Sequence, residues 1–240
     1  IEVRFFTPTT EVPICGHATI AAHYVRAKER NMEGGTVIQK TKAGILPVEV
    51  VRTLSDYSIT MTQGTPAVSA PFGDTVRERI ADALGIAREE ICREYPVAVA
   101  STGHSKVMVP LYSNELLHGL RPDLQKLTKI SKQIECNGYY VFTLNPQNKI
   151  LVHGRMFAPA IGIAEDPVTG NANGPLGAYL VHFNILQEED APCFDFDILQ
   201  GEAIKRDGTM HVHVEKEHGA PKLVQITGNA VIAFSTEITI

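Results

Sequence analysis

Two stretches of this chain set a titratable side chain at the opening of an apolar helix. Gly16-His17-Ala18 leads into Ile20, Ala21, Ala22, Tyr24 and Val25. Asp166-Pro167-Val168-Thr169-Gly170-Asn171-Ala172 leads into Leu176 to Phe183. The positive end of a helix disfavours an imidazolium, so a His in the first turn stays neutral and free to hydrogen-bond; a His that only satisfies its own loop is the equal alternative for His17. Asp166 reads either as an N-cap or turn residue, or as a general acid/base. Gly16, Gly170, Asn171 and Ala172 are small, and their N–H groups suit a carboxylate or a developing oxyanion. The chemistry of such a set is anion binding and steadying of a carbanion.

The surroundings of these two stretches also repeat. Arg4-Phe5-Phe6-Thr7-Pro8 precedes the first, and Arg155-Met156-Phe157-Ala158-Pro159 precedes the second. A single long-range echo predicts two related half-domains facing one cleft, each with a strand, a loop and a glycine-led, enclosed helix. Strands are expected over 44–51, 57–62, 210–215, 223–227 and 231–234, with period-two alternation at Ile59/Met61 and Val212/Val214. Gln63-Gly64-Thr65-Pro66 and Ser69-Ala70-Pro71 interrupt the pattern, so a first domain is expected over 1–67, completed by 229–240, and a second over 68–228. Asp74 reads as the N-cap of an amphipathic helix carrying Val76, Ile80, Ala83 and Leu84, and Leu124, Leu127, Ile130 and Ile134 mark another. The first half has only three residues before Arg4, so the expectation is a chain lacking the N-terminal part of its first domain.

Composition bounds the function. In 240 residues, a net charge of −5 gives no basic footprint for nucleic acid. No apolar run reaches the roughly 20 residues of a membrane-spanning helix. The start shows no signal-peptide pattern, and Cys15, Cys92, Cys136 and Cys193 lack CxxC spacing, so a reduced, cytoplasmic setting is expected.

Phe5-Phe6-Thr7-Pro8, Glu11-Val12, Gly16-His17-Ala18-Thr19, Gly154-Arg155-Met156-Phe157-Ala158-Pro159 and Glu165-Asp166-Pro167-Val168-Thr169-Gly170-Asn171-Ala172 together resemble the PhzF-like (phenazine biosynthesis-like) family of the diaminopimelate-epimerase-like superfamily. The wording is nearest to its uncharacterised bacterial isomerase-like members. The resemblance implies an α+β fold of two pseudo-symmetric domains, each a strand-rich barrel around a central helix. It implies cofactor-independent isomerisation by proton transfer at carbon, with no metal. The family's histidine falls on His17, its aspartate on Asp166, and its small helix-opening residues on Gly170 and Asn171, where serine is frequent. The family's acid/base glutamate has no counterpart here, and neither Glu2 nor Glu11 is put in its place.

Cys15-Gly16-His17 resembles the thiol motif of proline racemases, but the second loop offers Asp166-Pro167-Val168 and no cysteine, which excludes a thiol pair. Cys15 then reads as a small buried hydrophobe. Arg155 reads either as a partner for a substrate carboxylate or as half of a structural ion pair, and Glu165 as structural. His211 and His213 share a strand face without a third ligand, a weak metal case, and His153, His182 and His218 read as surface or packing residues. The leading expectation is an isomerase acting on a small anionic metabolite, as a homodimer, with no nucleic-acid or membrane partner. The rival is a non-catalytic ligand-binding or scaffold protein that keeps the fold.

Overall fold

The computed structural model describes residues 1–6, 11–12, 14–136, 138–186 and 191–237. The motif residues Thr7, Pro8, Thr9, Thr10 and Pro13, Asn137 of the expected Cys136-Asn137-Gly138 turn, and the last three residues lie outside the described residues. In chain order the elements are β1 (Phe5–Phe6), β2 (Glu11–Val12), α1 (Gly16–Glu29), β3 (Gly35–Thr41), β4 (Gly44–Arg52), β5 (Tyr57–Thr62) and β6 (Ala67–Val68). They continue with α2 (Asp74–Leu84), β7 (Ala98–Ser101), β8 (Lys106–Pro110), α3 (Asn114–Gly119), α4 (Leu124–Ile134), β9 (Tyr139–Leu144), β10 (Ile150–Ala158) and β11 (Ile163–Asp166). The last are α5 (Gly170–His182), β12 (Cys193–Gln200), β13 (Gly208–Glu217) and β14 (Ala220–Gly228). The class is α+β. Two compact units form, Ile1–Thr62 with Thr227–Ile240, and Gln63–Ile226.

In the first unit β3, β4 and β5 make an antiparallel meander, and α1 packs on β5 and β4. The sequence predicts α1 to be enclosed, and here the structure differs. Gly16, Thr19, Ile20, His23, Tyr24 and Ala27 form one buried stripe at helical spacing, whereas Ala21, Ala22 and Val25 are exposed. A single sheet face beside a helix covers one stripe, whatever the residues on the other side. The expected strand at 231–234 is also absent: Val231 and Phe234 are exposed, and no strand forms over 229–237. An apolar run favours a pleated backbone only where a neighbouring strand completes its hydrogen bonds.

The second unit is a mixed sheet in the order β14-β13-β12-β10-β9-β8-β7-β6, with β11 paired to β10. The β8–β9 and β10–β12 pairs are parallel. Burial on both faces makes strands read as continuous apolar runs, and β8 and β9 do. Val107, Val109, Tyr139 and Val141 join a core with Ile80, Leu84, Leu117 and Leu127 of α2, α3 and α4. Phe142, on the other face, meets Tyr179 of α5 edge-on at 5.8 Å. Helix α5 is buried from Ala172 to Val181, as the sequence predicts. Gly177 admits the sheet this closely, because a Cβ there would stand 2.8 Å from both Val212 and Val214. The predicted cap Asp74 instead occupies the first helical position, with Gly73 as N-cap.

Candidate functional site

In the first unit, α1 opens at Gly16, with Cys15 in extended conformation as its N-cap and no side-chain cap bond. Gly16 is buried and His17 is exposed in the first turn. The Cys15 Sγ lies 3.5 Å from His17 Nε2, so Cys15 is half-exposed against the imidazole and is not the buried hydrophobe expected. Thr19 fixes the turn by giving its N–H and Oγ1 to the Cys15 carbonyl, each at 2.9 Å. Glu11 is bound by Arg4 through two bonds of 2.9 and 3.1 Å and by Lys42 at 2.6 Å. Hydrogen bonds from Arg4 and then Lys42 pull its carboxyl down to about 2. A carboxylate so strongly held in its charged form is poorly matched to proton transfer near neutral pH.

The second unit builds its helix opening more elaborately. Asp166 ends β11, opposite Met156 of β10, and is half-buried. Thr169 Oγ1 donates to Asp166 Oδ2 at 2.5 Å. Behind them Gln200, 1% exposed, serves four partners. Its Nε2 donates to the Asp166 carbonyl at 2.8 Å and to Thr169 Oγ1 at 3.1 Å. Its Oε1 accepts from the Thr169 N–H at 3.1 Å and from Asn173 Nδ2 at 3.0 Å. Each bond to a buried group spares the loop an unmet polar atom.

The first N–H groups of a helix have no carbonyl partner within it. Ala172 and Asn173 give theirs to the Thr169 carbonyl at 3.0 Å, leaving those of Gly170 and Asn171 without an acceptor among the described residues. The Ala172 N–H is thus engaged within the turn, and the residue is fully buried. Gln63 closes the other side, donating from Nε2 to the Gly170 carbonyl at 3.0 Å while its Oε1 accepts from Thr102 Oγ1.

Arg155 is engaged on every side. It is 5% exposed and forms a two-pronged pair with Glu165 at 2.9 and 2.7 Å. Its Nη1 donates to the Leu117 and Leu120 carbonyls at 3.0 and 3.1 Å, and the guanidinium sits 5.0 Å from the Phe157 ring centre. Of the two readings open in the sequence, this is the structural ion pair; a guanidinium so engaged has no fork left for a substrate carboxylate. Glu165 is structural too, and its pairing directs β11 so that Asp166 follows from a fixed strand.

Two contributors escape the sequence. Thr169 and Gln200 are ordinary polar residues whose roles appear only when β12 returns beside β10. One signal exists: in Phe196-Asp197-Ile198-Leu199-Gln200 the inward, even-numbered positions end on an amide. The sequence leaves Thr102-Gly103-His104-Ser105-Lys106 open between a cleft lining and a hairpin connection. Thr102-Gly103-His104 lies in the turn between β7 and β8, and Lys106 just after it is 7% exposed, with Nζ donating to the Ser105 carbonyl at 3.1 Å. Burial lowers its pKa, against the opposing pull of Cys136 and Asp166.

The phenazine biosynthesis-like profile, PhzC–PhzF, matches residues 1–236. This chain belongs to that family. An uncharacterized isomerase of Clostridium acetobutylicum is 52% identical over 239 residues, covering 99% of this chain and 79% of the relative. An uncharacterized isomerase of Escherichia coli is 48% identical over 237 residues, with the same two coverages. Among solved structures, the phenazine biosynthesis protein of the PhzF family from Bacillus anthracis superposes with a TM-score of 0.87. It is 30% identical over all of this chain and 80% of its own. The match includes the stretch Glu165 to Ala172, which forms the end of β11 and the braced opening of α5. Among the described residues no helix is long and apolar enough to cross a membrane.

Proposed function

We propose that this PhzC–PhzF protein isomerises or epimerises a small carboxylate-bearing metabolite by proton transfer at carbon, without an organic cofactor. Asp166 is the proton-handling group of the second unit in this reading, and the N–H groups of Gly170 and Asn171 hold the substrate's negative charge. In the first unit, His17 and the opening of α1 at Gly16 are given the corresponding roles. One observation carries it. Asp166 presents a carboxylate with one oxygen fixed by Thr169 and the other without a partner among the described residues, beside two uncommitted amides of a buried helix. A carboxylate held in one orientation next to an anion-stabilising field is what removal and return of a carbon-bound proton requires. The naming of the relatives as isomerases supports the reaction class. The doubling of glycine-led helix openings, at Gly16 and Gly170, supports a pseudo-symmetric ancestry of the two units.

The test is deuterium wash-in from heavy water into a panel of small α-substituted and unsaturated acids, using the natural protein. Asp166→Asn is expected to cut exchange about 10²–10⁴-fold, the usual share of a general acid/base, with an unchanged melting temperature. Exchange that survives this substitution removes Asp166 from the reaction; exchange absent for every acid while the acids still bind favours the ligand-binding alternative.

A further inference from the structure

Away from this opening, the second unit gathers His118, His153 and Glu202 within one small volume. Their ligand atoms all lie within 4.8 Å of one another. His153 Nδ1 is 2.7 Å and His118 Nε2 is 3.2 Å from the same oxygen, Glu202 Oε2. The three come from different elements. His118 lies in the last turn of α3, after fully buried Leu117, and its carbonyl is near Arg155. His153 projects from β10 between buried Val152 and Gly154. Glu202 follows Gly201, whose φ of +95° and backbone neighbours, the carbonyls of Arg206 and Pro167, leave no space for a Cβ. Three independent anchors aim two imidazoles and a carboxylate at one point, which is how proteins preorganise a cation site.

We propose that His118, His153 and Glu202 bind one divalent first-row cation, zinc, in a three-ligand site completed by water. Two imidazole nitrogens and a carboxylate oxygen are the donor set of open zinc sites, at about 2.0–2.2 Å from the metal. Tetrahedral placement at those lengths sets ligand atoms about 3.4 Å apart, between the short contacts and the outer limit seen here. On binding, the metal takes the lone pairs of His153 Nδ1 and His118 Nε2. Each neutral ring keeps its single proton on the other nitrogen, and any second proton passes to solvent. The bound ion ties α3, β10 and the segment after β12 together, the supports of Arg155 and Gln200.

A second cluster sharpens the choice. On β12 and β13, Asp195 and Asp197 stand across from His213 and His211, with Cys193 on the same face. The third ligand that the two histidines lack in sequence is thus present. However, His211 and Asp195 are 42% and 43% exposed, and alternating signs across two strands already satisfy one another. His153 is 13% exposed and Glu202 26%.

Zinc is titrated into chelator-treated protein against a chromophoric indicator. One equivalent is expected, lost in His153→Gln and Glu202→Gln and retained in Asp195→Asn, with a zinc-induced rise in melting temperature only where the equivalent remains. Circular dichroism of the metal-free variants checks their folding; if either is unfolded, His118→Gln, at the more exposed ligand, replaces it. Cobalt substitution should give a nitrogen–oxygen spectrum without thiolate charge transfer. No zinc uptake by the wild type, an equivalent unaffected in the histidine and glutamate variants, or a thiolate band from Cys193 each overturns the proposal.

Discussion

The openings of α1 and α5 begin alike, with a glycine and a polar residue, yet they are held in different ways. At α5 a buried glutamine ties Asp166, Thr169 and Asn173 together, and Arg155 clamps the preceding strand through Glu165. At α1 Thr19 donates to the Cys15 carbonyl, and the Cys15 thiol lies beside His17. One helix is wrapped on all sides and the other packs along one stripe. The lesson is that similar motifs constrain a side chain only as far as their neighbours are buried. Asp166 is positioned through the long-range bond that its carbonyl accepts from Gln200, which is costly to break.

This contrast can be broken by substitution. Arg155→Ala should cost about 3–5 kcal/mol in chemical denaturation, since Glu165 is left half-buried without its partner; a loss below 1 kcal/mol would show that the clamp is not what holds β11. Gln200→Ala should cost about 2–4 kcal/mol, because buried donors and acceptors lose their partner. It should also lower deuterium exchange by freeing Asp166 to turn, and Gln200→Glu should recover stability only in part. A pH series isolates the first unit. His23 is 2% exposed and bonded to Gln39 at 3.1 Å, and burial lowers its pKa. The unfolded chain therefore takes up the proton first. This contribution is whole above about 6.5, the unperturbed value, and declines as pH falls through the lower folded value. Urea midpoints of wild type and His23→Gln should converge on acidification. The smallest effect is Cys15→Ser, which offers α1 a capping hydroxyl and should change stability by less than about 1 kcal/mol. A larger loss would place α1 on the same footing as α5.

Much of this was readable in the chain because it depends on periodicity. The alternation in β5 and β13, the amphipathic stripes of α2 and α4, and the apolar length of α5 each follow from neighbours two to four residues apart. The glycine-led openings and Asp166 stood out by residue type. What stayed hidden depends on partners far away in sequence. Gln200 acts 31 residues from Thr169, and Arg155 reaches carbonyls 35 and 38 residues back. The exposure of Ala21, Ala22 and Val25 could not be inferred, because an apolar residue type does not say which face a sheet will cover. Val231 to Phe234 misled for a related reason, since strand propensity without a pairing partner forms no ladder.

The two side-by-side strand pairs of the second unit have a kinetic consequence. β8 cannot join β9 until the chain between them has coiled into α3 and α4, and β10 cannot meet β12 until α5 has been laid across. The meander β3-β4-β5 needs only tight reversals. Closing long loops before any reward arrives is slow, so after dilution from denaturant the meander should assemble early while the flank of β10 stays bare. That interval, more than the finished molecule, is when this protein is open to clumping and when a chaperone would help it most.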